Sequence, residues 1–461
     1  MNRRFFMETR TIHLSSIRLS AVTLVLSLVL LCAVVAQPAR FSYKQVDHTD
    51  LEEDLLEAAL RGDLARVKTL LDKRGDVNPR ELDFPLAAAA GKGHVDVVKV
   101  LLEKGADVNG LGYDNKPLIG AARNGHLEVI RLLLESGANV NAETGVGATA
   151  LLVAAENNHA DVTKVLLDRG ADVNTADQEC LTPLMAAARE GHFEVVRLLL
   201  DNGAHVNAEG YINLTALMRA SSQGHLDVVR LLLDRGADVD ARTGYCTTAL
   251  MDAAENGHFG VVKVLLDKGA DFNARDVEGK SALMYAAEKG YLDVVKFLLN
   301  KGSDVKAKTK KGWTPLSWAA WGGNSDVVRL LRGRTTEFSF MDAACLGDLE
   351  LVRRFVQHGS DVNERTEIER TPLMGAAKGG HLGVVEFLID KGAHVNAKTT
   401  YYESALMEAA KNCRLDVAKL LLEKGADVTI VTRNSRTALK MAEEHDCGAI
   451  EALLKARGAK E

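Results

Sequence analysis

Aromatic side chains make up only 5% of this chain, and proline is scarcer still, with 7 among 461 residues. So few rings argue against a sandwich, a barrel or a large α/β enzyme. Positive charge is not in excess: 57 Lys and Arg stand against 63 Asp and Glu, a formal net charge of −6. A general nucleic-acid binder usually carries a basic surplus, so no nucleic-acid partner is expected. The 6 cysteines are too few and too scattered for a disulfide-stapled scaffold, and none has the C-x-x-C spacing of a zinc or redox site. Cys180 and Cys246 lie two widths of a repeating unit apart, beyond the roughly 7 Å Cα limit for a bridge. The expectation is that Cys180, Cys246, Cys345, Cys413 and Cys447 are all free thiols. Signatures of catalysis are missing as well. There is no H-E-x-x-H, G-x-S-x-G, P-loop or dinucleotide fingerprint.

What is present is a soluble composition, 47% hydrophobic and 26% charged, with 39 glycines. That many glycines beside so few prolines points to a short unit copied many times.

The first forty residues differ from the rest. Leu19 to Ala36 is an uncharged apolar run preceded by Arg3, Arg4, Arg10 and Arg18 and closed by small residues before Gln37-Pro38. A basic start, an apolar stretch and a small-residue end are the order of a secretory signal. At about 1.5 Å per helical residue the run is also long enough to stay as a single membrane anchor. Either way the basic flank stays cytoplasmic and the rest is exported. Cys32 is a poor lipid-attachment site because bulky Leu31 precedes it. The expected division is 1–36 signal peptide or anchor and 37–50 linker, with periplasmic, extracellular or membrane-anchored repeats beyond.

From residue 51 the chain repeats. The phrase G-A-D-V-N, or a near copy, ends at Asn78, Asn109, Asn141, Asn174, Asn207, Asp240, Asn273 and Lys306, then at Asn363, Asn396 and Thr429. The usual interval is 33 residues. Gly-His recurs in register at His94, His126, His159, His192, His225, His258 and His381, and T-P-L or T-A-L as at Thr182, Thr215, Thr314 and Thr371. Each unit reads as a helix pair. The Thr is an N-cap, Pro suits the first helical position, and Ala pairs permit close helix approach. Gly-His marks the turn into an amphipathic V-V-x-L-L helix, and the Gly of G-A-D ends it in a left-handed cap. The intervening polar residues read as a protruding hairpin. One unit cannot bury both helices alone, so neighbours must stack.

The pattern T-[PA]-L…A-A…G-H…V-V-x-L-L…G-A-D-V-N resembles the ankyrin-repeat family over residues 51–461. The resemblance implies an all-α repeat solenoid of about thirteen units, each a helix-turn-helix plus a β-hairpin or loop. It also implies recognition of partners by the hairpins and the exposed side of the inner helix. One departure is systematic: Met185, Met218, Met251, Met284, Met374 and Met407 stand where the family often has His.

The spacing from Lys306 to Asn363 is 57 residues, nine short of two periods, and the deletion falls at 331–337. The unit after it, like the first, has Gly-Asp for Gly-His and lacks a hairpin. Two arrays, 51–334 and 335–461, are therefore expected, against the alternative of one continuous solenoid with a tightened loop.

All three tryptophans fall beside this break. Trp313 ends a hairpin, Trp318 and Trp321 lie on the following inner helix, and Tyr285 matches Trp318 one unit earlier. Tyr113, Tyr211, Tyr245, Tyr401 and Tyr402 fall in hairpins, and Lys308, Lys310 and Lys311 give a basic edge. Because interfaces concentrate Tyr and Trp, the candidate docking set is Tyr285, Trp313, Trp318 and Trp321 with Lys308, Lys310 and Lys311, joined by Tyr245 and Tyr211. The competing explanation is that the deletion uncovers an inner helix and the tryptophans fill the gap. The periodic histidines are too far apart to share a metal, and their expected role is local hydrogen bonding at the turn. No catalytic residue, metal or cofactor is expected. The functional expectation is a monomeric, non-catalytic scaffold that binds one or more proteins and meets a membrane only through an uncleaved N-terminal segment. The alternative is a binder of a glycan or anionic polymer at the Trp/Lys patch.

Overall fold

The computed structural model describes residues 50–459, apart from 75–77, 111–115, 336–337 and 367. The candidate export segment and Tyr113 lie outside the described residues. Among those described, no helix is long and apolar enough to cross a membrane. The chain divides into Met1–Asp54 and Leu55–Glu461, and the second unit holds the repeats.

The described residues form 26 α-helices in inner–outer pairs, an all-α repeat solenoid. Residues 175–207 show why. Thr182, extended at φ −89°, accepts a hydrogen bond from the Met185 N–H at 3.3 Å, and Pro183 opens the helix Pro183–Glu190. Leu184, Met185, Ala186, Ala187 and Ala188 of that helix are all buried. Gly191, at φ +78°, ends it by donating its N–H to the Ala187 and Ala188 carbonyls. The outer helix Phe193–Asp201 buries Val195, Val196 and Leu199. At Met185, Met218, Met251 and Met374 the N–H still donates to the capping Thr, so the departure from the family pattern leaves these helix starts unharmed.

Successive units are sewn together by side chains of the repeat phrases. The histidine of Gly-His bonds across units and not, as expected, locally. Nε2 of His192 meets the Glu156 carbonyl at 3.0 Å, and Nε2 of His225 meets that of Arg189 at 2.9 Å. These are the orphan carbonyls at the end of the preceding inner helix, which would otherwise lack donors. The asparagine of G-A-D-V-N does the same on the other edge. Asn174 Oδ1 accepts from the His205 N–H at 2.8 Å, and its Nδ2 donates to the Gly203 carbonyl at 3.2 Å. Each such bond contributes about 1 kcal/mol, and the same bond returns in unit after unit.

The hairpins are tight loops. Among the described residues there is one isolated bridge, Glu143 with Thr149, and no strand. Each loop closes on itself, as where the Thr309 N–H donates to the Trp313 carbonyl at 2.9 Å. Most also bond to the next: the Val277 N–H donates to the Tyr245 carbonyl, and the Lys310 N–H to that of Glu278, both at 3.0 Å. The tips therefore form a registered rank.

At the break, the apolar core falls into one cluster running from Leu55 to Leu331 and another from Phe340 to Leu454. A third cluster contains Met284, Ala307, Trp313, Trp318, Trp321, Met341 and Cys345. The hairpin-less unit begins at Phe340–Leu346, and its Asp342 joins two helix starts. The Asp342 carboxylate accepts from Ser339 N–H, from Thr314 Oγ1 at 3.0 Å and from Ser317 Oγ. This explains Ser317, which stands in the slot that other units give to methionine.

One cysteine expectation is corrected. Cys180, Cys246 and Cys345 are free, but Cys413 and Cys447 form a disulfide with Cα atoms 5.2 Å apart. Their separation of 34 residues is one repeat, so the two loops are immediate neighbours.

Candidate functional site

Two of the sequence-selected residues stand free on the hairpin rank. Tyr211 is 63% exposed and Tyr245 42%, with Val277, at 42%, on the next hairpin. Tyr245 sits on a loop closed by Thr243, whose Oγ1 accepts from the Tyr245 and Thr247 N–H groups. Lys308, Lys310 and Lys311 are exposed on the hairpin that follows. These residues present a tyrosine-rich tip row leading into a basic edge.

The remaining four do not join that surface. Tyr285, Trp313, Trp318 and Trp321 keep only 6%, 2%, 8% and 4% of their surface, so the expectation that they are exposed docking anchors is corrected. Trp313 packs on Trp318 at 4.6 Å between ring centroids and edge-on to Trp321 at 5.9 Å. The physical reason is the missing hairpin. The shortened unit brings its helix but no hairpin against this inner helix, so the large rings fill the space against Met341 and Cys345.

Cations close both sides of the ring stack, and none of them was singled out from the sequence. Lys280 Nζ lies 3.8 Å from the Tyr285 ring and 4.1 Å from that of Trp318, and pairs with Glu288 at 2.5 Å. From the far side of the break, the Arg370 guanidinium lies 3.8 Å over Trp321 and Lys378 Nζ 4.2 Å from it. A cation over an indole gains about 2 kcal/mol when desolvated, so the stack joins the helices on either side of the break electrostatically as well as by packing.

Burial shapes the protonation of these groups. It pushes the Tyr285 hydroxyl well above its usual range, assisted by Asp276, whose Oδ2 accepts its proton at 2.8 Å. At Glu288 burial acts upward, but the Lys280 charge and hydrogen bond outweigh it and hold the carboxyl low. Burial lowers Lys378 and raises Glu408 across the same face. The Cys345 thiol, buried under the tryptophans, is pushed up to about 12. Among the described residues, no group of three His, Cys, Asp or Glu could hold a metal ion.

The geometry thus offers a surface for contact: an exposed rank of hairpin tips above a closed, ion-paired inner face. No curated protein matches the chain significantly. A family model described as ankyrin repeats in three copies matches residues 55–144, 143–210, 209–276, 250–338 and 340–432. Repeats of this kind generally mediate protein–protein interaction and are typically non-catalytic. Matches that run over both sides of the break, together with the stacked helix pairs and their cross-unit histidines, make this chain a member of the ankyrin-repeat family.

Proposed function

We propose that the protein is a non-catalytic scaffold, exported or membrane-tethered, that binds one or more proteins through its hairpin rank. The observation that carries the reading is the exposure of Tyr211 and Tyr245 on neighbouring, backbone-linked hairpins, in a chain that buries all its tryptophans. Tyrosine supplies contact area with few rotatable bonds, which is why interfaces concentrate it. A solenoid presents such a row without closing a water-free pocket, so binding follows more naturally from it than turnover does.

Export is supported by two independent features. The N-terminal sequence has the order of a signal or anchor. The Cys413–Cys447 disulfide suits an oxidising compartment, since cytosolic thiols are kept reduced. The alternative ligand, a glycan or anionic polymer, depended on tryptophans as a stacking platform. Their burial leaves that reading only the lysines.

The test is affinity capture from the host with wild type and with Tyr211→Ala/Tyr245→Ala. Proteins retained by the first and lost by the second support the reading. Identical capture by both, with the variant folded by circular dichroism, removes the hairpin rank as the binding surface. N-terminal sequencing of the mature chain tests export separately.

A further inference from the structure

The hairpin rank is electrically polarised. The three hairpins 142–149, 175–182 and 208–215 carry Glu143, Asp177, Glu179 and Glu209 and no cation. The next three, 241–248, 274–281 and 307–314, carry Arg242, Arg275, Lys280, Lys308, Lys310 and Lys311 against Asp276 and Glu278. Of that second group, Lys280 and Asp276 are buried and internally bonded, so they add nothing to the exposed edge. Two exposed rings, Tyr211 and Tyr245, fall where the sign changes.

This segregation is not the habit of the molecule. At the ends of the outer helices, charge is matched unit by unit. Arg235 meets Asp201 at 2.8 Å, Lys268 meets Asp234 at 2.8 Å, Lys301 meets Asp267 at 3.2 Å and Lys424 meets Asp390 at 3.1 Å. On the hairpin rank, by contrast, Glu143, Glu179, Glu209, Lys308 and Lys310 are exposed and form no ion pair among the described residues. One edge neutralises itself, whereas the other keeps its two signs apart.

We propose that the rank receives an extended protein segment of opposite polarity. A lysine- or arginine-rich stretch of the partner would lie over residues 142–215, an apolar or aromatic centre against Tyr211, Tyr245 and Val277, and an acidic stretch over residues 242–311. This rests on the protein-binding reading above and adds the partner's charge order to it. At about 10 Å per packed unit the six hairpins span about 50 Å, which an extended segment of about fifteen residues covers. Exposed charges of this kind set orientation and association rate more than affinity, and salt screens them within about 8 Å at physiological ionic strength.

The experiment uses the full chain and three synthetic peptides of that length: a lysine block joined through a tryptophan-containing spacer to a glutamate block, and two controls in which one block is replaced by Gly and Ser. Fluorescence anisotropy against salt is the readout. The bipolar peptide is expected to bind at least tenfold tighter than either control, because its second block engages at high effective concentration. Glu143→Lys/Glu179→Lys/Glu209→Lys should reduce it to the level of the glutamate control, and Lys308→Glu/Lys310→Glu/Lys311→Glu to that of the lysine control. No gain from joining the blocks, or equal binding to wild type and both variants, overturns the proposal. So does a sulfated polysaccharide that binds through the lysines while the bipolar peptide gains nothing. A host protein captured equally by wild type and both charge variants overturns the polarity and leaves the scaffold reading standing. If the peptides discriminate as expected but no host protein is captured, the scaffold reading fails and the polarity survives.

Discussion

Cys447 occupies the slot that other units give to histidine, and its sulfur is bonded to Cys413, which occupies the preceding unit's glycine slot. Elsewhere that pair is a tight van der Waals contact. A Cβ on Gly191 would fall within 2.6 Å of the His225 ring, and Gly191 also sits at φ +78°, so glycine is doubly required there. In the last unit the histidine–carbonyl bond is replaced by a covalent one. A disulfide closing a loop of this size contributes about 3 to 4 kcal/mol. Because solenoid units are stabilised mainly by their neighbours, the loss on reduction should be local. Reductant, or Cys447→Ser, is expected to raise hydrogen exchange in helices Ala438–Glu444 and Gly448–Ala456 while leaving helix Pro183–Glu190 unchanged. Cys413→Gly/Cys447→His should recover part of the loss under reducing conditions. Uniform loosening of all units would show that the bond serves the whole array.

The tryptophan stack predicts a structural phenotype. Trp318→Ala and Trp321→Ala each remove a buried ring and leave a cavity, at a cost of about 3 to 5 kcal/mol. The rings lie between two separate core clusters, so the expected result is that one melting transition becomes two by calorimetry. Arg370→Ala should do the same more weakly, because it removes a cation from Trp321 and leaves the ring in place. Either Trp variant melting like wild type would mean that the stack carries no load.

The repeats, the caps and the break were legible because each depends on residues close in sequence: Thr182 before Pro183, Gly191 before His192, nine residues missing between Lys306 and Asn363. What was not legible depends on the next unit. Trp318 occupies the inner-helix slot held by Val153, Ala186 and Tyr285 in other units, all of them buried, and the Met341 and Cys345 it packs near come from the unit beyond the break. Lys280 and Arg370 reach the stack from opposite sides of the break, and no short motif joins them. The disulfide was within reach, since Cys413 and Cys447 are separated by one repeat, whereas Cys180 and Cys246 are separated by two. Spacing counted in units, and not distance along the chain, was the signal.

The same counting exposes a strained column at the hairpin tips. Gly147, Gly279 and Gly312 share their slot with Cys180 at φ +57° and Cys246 at φ +59°. A side chain in the left-handed region costs roughly 1 kcal/mol relative to glycine. Cys180→Gly and Cys246→Gly are therefore expected to raise the free energy of chemical unfolding, each by up to about 1 kcal/mol. A loss of stability would mean that these side chains make contacts worth more than the strain.

Stability should also fall through Asp252 as pH rises from about 4 to about 8. This half-buried carboxyl on the inner face has its pKa raised to about 8, first by burial and then by the neighbouring Glu255 charge. The folded state thus holds a proton that the unfolded chain releases near the ordinary aspartate value of 3.8. A folded-state pKa raised above the unfolded one gives stability that is complete below the lower value and is lost as pH rises through the upper one. Asp252→Asn keeps the shape, cannot ionise, and should flatten that loss. Melting temperatures of wild type and variant are expected to lie closest at pH 4 and to separate steadily up to about pH 8, with the variant higher and the gap constant above that. A variant that melts lower than wild type at pH 9 would mean that the ionised carboxylate is a favourable partner on this face, and that the charge on Asp252 stabilises the array.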